Sequence, residues 1–113
     1  MHETSIAQNI LEIAIAEAKK HNASKINSIG VRVGKMSAID EASLKFAFDA
    51  LKADTIAANA SMNYESVALM GKCLDCNYEA ELEGYFVQCP KCSSSRVKIL
   101  SGNELDISYI DID

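Results

Sequence analysis

The chain has 113 residues, 49% of them hydrophobic and 24% charged, enough for one compact domain or a small domain plus a metal-stapled subdomain. Sixteen acidic against eleven basic residues give a net charge of −5, which argues against a general nucleic-acid binder, because phosphate contacts need a basic surface. No apolar run approaches the roughly 18 residues needed to cross a bilayer, and no basic-then-apolar leader opens the chain, so a cytoplasmic protein is read.

The segment from Ser5 to about Lys20 predicts an amphipathic helix. Ile6, Ile10, Ile13 and Ala14 recur at the spacing of one apolar face. Ser5 with Gln8 matches a capping box, Lys19, Lys20 and His21 suit the negative end of the helix dipole, and Asn22 suits the C-terminal cap. Met1 to Thr4 is then a short free arm. From Lys25 to Gly34 the period changes to two: Ile29, Val31 and Val33 alternate with Gly30, Arg32 and Gly34, as in a strand with one buried face.

A second helix is expected from Asp40, a good N-cap residue, with Glu41 in its first turn and Leu44, Ala47, Phe48 and Leu51 as its buried stripe. Met62 and Tyr64 open a further strand running to about Val67. Regular periodicity is lost between Gly71 and Ser95, where all four cysteines lie. It returns at Asn103–Asp113, where Leu105, Ile107 and Tyr109 alternate and Ile110 and Ile112 fall out of phase, as across a bulge.

The fold class read from this pattern is α+β: a small two-helix domain on a mixed three-stranded sheet, with an inserted zinc-ribbon-like domain. Residues 1–69 form the first part of the α/β domain, 70–99 the four-cysteine insert, and 100–113 a terminal strand returning to the first domain.

The cysteines read Cys73-Leu74-Asp75-Cys76, then twelve residues, then Cys89-Pro90-Lys91-Cys92. Two residues between cysteines let both sulfurs turn toward one ion, and two such knuckles supply a tetrahedron of thiolates, which Zn(II) accepts. With no open ligand position in view, a closed structural zinc site is the first reading. A rubredoxin-like iron site, and then disulfides or a redox dithiol pair, are the competitors.

His2 is the other candidate ligand. An initiator methionine followed by histidine is normally retained, so the chain begins Met1-His2-Glu3. The Met1 amine, the His2 backbone nitrogen and its ring nitrogen can close two fused chelate rings, and the Glu3 amide can take a fourth in-plane position. A planar all-nitrogen set suits Ni(II) or Cu(II) and suits Zn(II) poorly. The bland alternative is an incidental residue on a frayed end. His21 reads as a helix-end cation, and no nucleophile sits beside either histidine, so no enzyme constellation is seen.

Met1-His2-Glu3 with Ser5, Gly34-Lys35-Met36-Ser37, Phe46-Ala47-Phe48, the Cys73/Cys76/Cys89/Cys92 set and Ser101-Gly102-Asn103-Glu104-Leu105 together resemble the HypA/HybF family of hydrogenase-maturation proteins. The resemblance covers essentially the full chain. It implies a nickel metallochaperone with Ni(II) transferred at His2, helped by backbone or flanking groups of Met1 and Glu3, and Zn(II) held structurally by the four cysteines. It further implies a partner GTPase of the HypB type, a hydrogenase large-subunit precursor as acceptor and, in some relatives, urease maturation. Some relatives recruit an extra histidine from the zinc region; this chain has none there. No nucleic acid or membrane partner is expected, and a homodimer is left open. The rival readings are a zinc-ribbon module binding nucleic acid or protein, and an iron electron-transfer protein.

Overall fold

The fold is described from a computed structural model over residues 2–83 and 87–113, the side chain of His2 excepted. The chain forms two compact units: Met1–Arg32, Ile39–Glu65 and Asp106–Asp113 make the first, and Val33–Ala38 with Ser66–Leu105 the second.

In the first unit, α1 spans His2–Lys20. The helix therefore starts three residues earlier than its sequence suggests. Gln8 donates to Glu12 Oε1 at 3.0 Å and does not reach back to Ser5, so no capping box forms, and residues 2–4 belong to the helix rather than to a free arm. Glu3 lies in the first turn, where a carboxylate favours the positive end of the helix dipole. The buried face is Ala7, Ile10, Leu11, Ala14 and Ala18. Ile13, predicted to be on it, is 59% exposed, because it sits about 100° around the helix from Ala14. The other end follows the expectation. Asn22 is left-handed (φ 57°), Asn22 N–H donates to Lys19 O at 3.0 Å and Ala23 N–H to Ala18 O at 3.0 Å, a Schellman closure.

Strand β1 (Ile26–Gly34) is central in the sheet, flanked by β2 (Ser61–Val67) and the terminal strand, numbered β6 (Leu105–Ile112). Ile26, Ile29, Val31 and Val33 are buried, and helix α2 (Glu41–Leu51) buries Leu44, Ala47 and Phe48. Leu51 is half-buried. β6 runs antiparallel to β1, with Asp113 N–H donating to Lys25 O at 2.9 Å near one end and Gly34 N–H to Glu104 O at 2.8 Å near the other. β2 follows β1 through α2, the crossover that a parallel pair requires, so the sheet is mixed. Gly30 is needed here because the Tyr109 ring lies across it to accept a hydrogen bond from Asn63 Nδ2.

The second unit holds an antiparallel sheet in the order β4 (Glu79–Glu81), β3 (Met70–Cys73), β5 (Val97–Ser101). Gly71 lies at its centre, opposite Ala80 and Ile99; a Cβ there would stand 2.6 Å from Val97 Cγ1 and 2.7 Å from Leu82 Cδ1. Val33, Leu69, Cys73, Leu82 and Cys89 are buried side chains of this unit among the described residues. Two of the sequence motifs meet in this unit. Met36 N–H donates to Gly102 O at 2.8 Å, Ser37 Oγ–H to Glu104 O at 3.4 Å, and Gly102 N–H to Glu104 Oε1 at 2.7 Å. A Cβ on Gly34 would fall within the Gly102 carbonyl, and one on Gly102, whose φ is 117°, would stand 2.5 Å from Leu69 Cα, so neither position has room for a side chain.

Candidate metal centres

The four cysteines converge. All four Sγ atoms lie within 4.8 Å of one another, with Cys73–Cys92 at 3.5 Å and Cys76–Cys89 at 3.6 Å. Metal–sulfur bonds of about 2.3 Å in a tetrahedron give sulfur–sulfur edges near 3.8 Å, so the cluster has the size a zinc ion needs.

The two knuckles repeat one hydrogen-bond pattern at a sequence offset of sixteen residues. Cys73 N–H donates to Tyr78 O at 2.9 Å and Cys89 N–H to Ser94 O at 2.8 Å. Asn77 N–H donates to Cys73 O and Ser93 N–H to Cys89 O, both at 2.9 Å. Asn77 (φ 63°) and Ser93 (φ 65°) take the left-handed conformation that turns each chain back. Within each turn two amides point at the first sulfur: those of Asp75 and Cys76 at Cys73 Sγ, and those of Lys91 and Cys92 at Cys89 Sγ, all at 3.4 Å. The backbone thus directs charge-stabilising donors at two of the sulfurs.

Contacts between the knuckles lock them together. Asp75 accepts from Arg96 Nη1–H at 2.6 Å and from the Ser94 hydroxyl, Leu74 N–H donates to Arg96 O at 2.8 Å, and Lys91 Nζ lies 5.6 Å from the Tyr78 ring centroid. Asp75, Ser94 and Arg96 were not singled out from the sequence. The readable signal was an acid inside one knuckle and a base four residues after the other.

The thiols ionise unequally. Cys73 is lowered, first by the Cys76 amide, and Cys89 falls to about 6, its burial outweighed by the Cys92 and Lys91 amides and by neighbouring thiols. Cys76 is raised: against the pull of the Tyr78 amide, burial and the Cys89 and Cys73 sulfurs dominate. Cys92 is pushed up to about 12, the Ser94 amide being overcome by Cys73, burial and the other sulfurs. A divalent ion supplies the positive charge that makes all four thiolates compatible.

The amino-terminal candidates lie in the first unit. Met1 and the His2 side chain fall outside the described residues. Glu3 Oε2 accepts from Asp40 N–H at 3.3 Å, so the first turn of α1 meets the start of α2. Asp40 caps α2 through Ser43 N–H at 2.9 Å and Ser43 Oγ–H at 2.6 Å, and these bonds hold its carboxyl below the ordinary 3.8. The Tyr64 phenol is held above its ordinary 10, first by burial and then by the charges of Glu41 and Asp40. The corner therefore carries a negative field. His21 Nε2 lies 3.6 Å from Glu17 Oε1, one turn back along α1. Of the Phe46-Ala47-Phe48 triplet, Phe48 is core and Phe46 is 76% exposed.

The family model described as "Hydrogenase/urease nickel incorporation, metallochaperone, hypA" matches residues 1–112. The chain belongs to the HypA family. Among relatives of that family, the hydrogenase maturation factor HypA of Pelodictyon phaeoclathratiforme is 38% identical over 113 residues, covering 100% of this chain and 97% of the relative. That of Methanocaldococcus jannaschii is 36% identical over 121 aligned residues, covering 100% and 98%. The solution structure of the Ni metallochaperone HypA from Helicobacter pylori superposes with a TM-score of 0.69 at 25% identity, over 97% of this chain and 96% of that one. HypA membership accounts for the two-helix unit and the four-cysteine unit together.

Proposed function

We propose that this HypA-family protein is a nickel-delivery factor that takes Ni(II) at its amino terminus and passes it to a hydrogenase large-subunit precursor, with a GTPase partner of the HypB type and a cytoplasmic site of action. What carries the reading is full-length HypA membership in a chain that opens Met1-His2-Glu3. The relatives are named for hydrogenase maturation, and the family description adds urease. Among the described residues no helix is long and apolar enough to cross a membrane.

The chemistry follows from the start of α1. The first amides of a helix have no intrahelical acceptor, so the His2 and Glu3 nitrogens can lose their protons to a metal without breaking a helical bond. The helix dipole opposes a cation there by roughly 0.3–1 kcal/mol. The carboxylates of Glu3, Asp40 and Glu41 offset that opposition. A Met1 amine, two backbone nitrogens and the His2 ring form a square-planar set that favours Ni(II) and Cu(II) over Zn(II). The cysteine cluster, with zinc in four thiolates, keeps its ion while nickel exchanges. Its task is to hold the second unit folded, and the protein's action is transfer, not catalysis.

Nickel titration of untagged, zinc-loaded protein by calorimetry tests this. Wild type binds one Ni(II), whereas His2→Ala and a variant extended ahead of Met1 lose tight binding with zinc content unchanged. Equal nickel affinity in all three overturns the amino-terminal assignment. Metal analysis of the purified protein separates zinc from iron in the cysteine cluster.

A further inference from the structure

The four sulfurs of the cluster are not equivalent. Cys73 and Cys89 are buried, each with two knuckle amides at 3.4 Å, whereas Cys76 and Cys92 are exposed and draw on the single amides of Tyr78 and Ser94. Once an ion is bound all four are thiolates, so their reactivities are separated by access and by hydrogen bonding rather than by protonation. N–H···S bonds draw electron density from a sulfur and make it a poorer nucleophile; a buried sulfur is also shielded from solutes. Both effects single out Cys76 and Cys92. Each of these lies against a buried sulfur of the opposite knuckle: Cys92 against Cys73 at 3.5 Å and Cys76 against Cys89 at 3.6 Å.

We propose that Cys76 and Cys92 are the reactive thiolates of the metal-loaded cluster, and that a hydroperoxide converts the site to two cross-knuckle disulfides, Cys73–Cys92 and Cys76–Cys89, with release of the metal. The inference rests on the reading that the cluster holds a divalent ion.

In the first step the exposed Cys92 sulfur attacks the peroxide. An S–O bond forms, the O–O bond breaks, and hydroxide leaves to be protonated to water. In the second step the Cys73 thiolate attacks the Cys92 sulfenic sulfur. The S–S bond forms, the S–O bond breaks, and the departing hydroxide takes a proton to become a second water. Two thiolates have lost two electrons, and one hydrogen peroxide has become two waters. Two of the ion's four ligands are gone, and the same sequence at Cys76 and Cys89 removes the rest. A dithiol reductant with added metal reverses the change, because no sulfur has passed the disulfide level.

The test uses the full chain, loaded with zinc and checked by metal analysis. Hydrogen peroxide is added in steps, released zinc is read with a chromogenic chelator, and disulfides are mapped by mass spectrometry. Trypsin with Glu-C cuts the insert into 73–79, carrying Cys73 and Cys76, 84–91, carrying Cys89, and 92–96, carrying Cys92. Cross-knuckle oxidation joins all three fragments into one species, and Asp-N cleavage before Asp75 then assigns Cys73 to Cys92. A Cys73–Cys76 bond inside 73–79, with only 84–91 and 92–96 joined, overturns the pairing. Limited alkylation with N-ethylmaleimide checks reactivity without oxidant: Cys76 and Cys92 label about tenfold faster than Cys73 and Cys89. Even labelling overturns the selection. Protein that is isolated and reconstituted without zinc defeats the metal reading instead, and its disulfide map judges the pairing separately.

Discussion

Gly34→Ala places a methyl group where the Gly102 backbone already lies. The added Cβ would fall within the carbonyl of Gly102 and stand 2.5 Å from Asn103 N, roughly 1 Å inside ordinary contact. Every atom it meets is backbone, so no side chain can rotate away. Relief requires parting the two segments, which loosens the Gly34 N–H bond to Glu104 O and the Met36 N–H bond to Gly102 O, both 2.8 Å. Overpacking costs about 1–3 kcal/mol and each lost bond about 1 kcal/mol, a sum of about 3–5 kcal/mol. That is a large share of the roughly 5–15 kcal/mol that holds a domain of this kind together. The assay is urea unfolding of zinc-loaded protein, following zinc release for the second unit and circular dichroism at 222 nm for α1 and α2. With a slope of about 1–3 kcal/mol per molar urea, the zinc-release midpoint drops by roughly 2 M. Lys35→Ala next door removes only the exposed 3.6 Å pair with Glu81 and serves as a near-neutral control. A Gly34→Ala midpoint within about 0.3 M of wild type, roughly the size of a surface effect, would refute the close-contact reasoning.

Phe48→Ala destabilises the first unit by about 3–5 kcal/mol, since the ring is fully buried, while Phe46→Ala two residues away stays within about 0.5 kcal/mol; chemical denaturation separates them. Because its folded value is depressed by Ser43, the Asp40 carboxyl lends its capping contribution above the unfolded pKa and loses it as pH falls through the lower folded one; a carboxyl-detected NMR titration should place its midpoint below 3.8. Zinc binding to the reduced apoprotein near neutral pH releases protons, those of Cys76 and Cys92 included because their thiols are raised, so affinity weakens on acidification. Calorimetry in two buffers of different ionisation enthalpy measures that release, and a zero proton count would contradict it.

What the sequence disclosed depended on how local the governing interactions are. Asp40, Asn22 and the alternation of Ile29, Val31 and Val33 were legible because caps and strand faces are decided within a few residues. The start of α1 was not. Ser5 and Gln8 fitted a capping box, yet Glu3 finds a partner in Asp40, thirty-seven residues away, and that contact accompanies a helix running back to His2. Ile13 matched the helical period but falls beyond the edge of the buried stripe, a distinction of angle that period alone does not make. The cysteine spacing announced the convergence of four sulfurs, whereas the Asp75–Arg96–Ser94 tie depends on how two turns face each other in space.

A nineteen-residue helix that begins at His2 presents its opening amides as a cluster of outward N–H groups, the natural seat of an anion. Such a rim accepts a cation only after surrendering hydrogens, and it regains its native polarity as soon as they return. If the proposed amino-terminal site holds nickel, mild acid would therefore eject the ion from a rod about 28 Å long by proton exchange at its tip, with no unfolding of the body behind it.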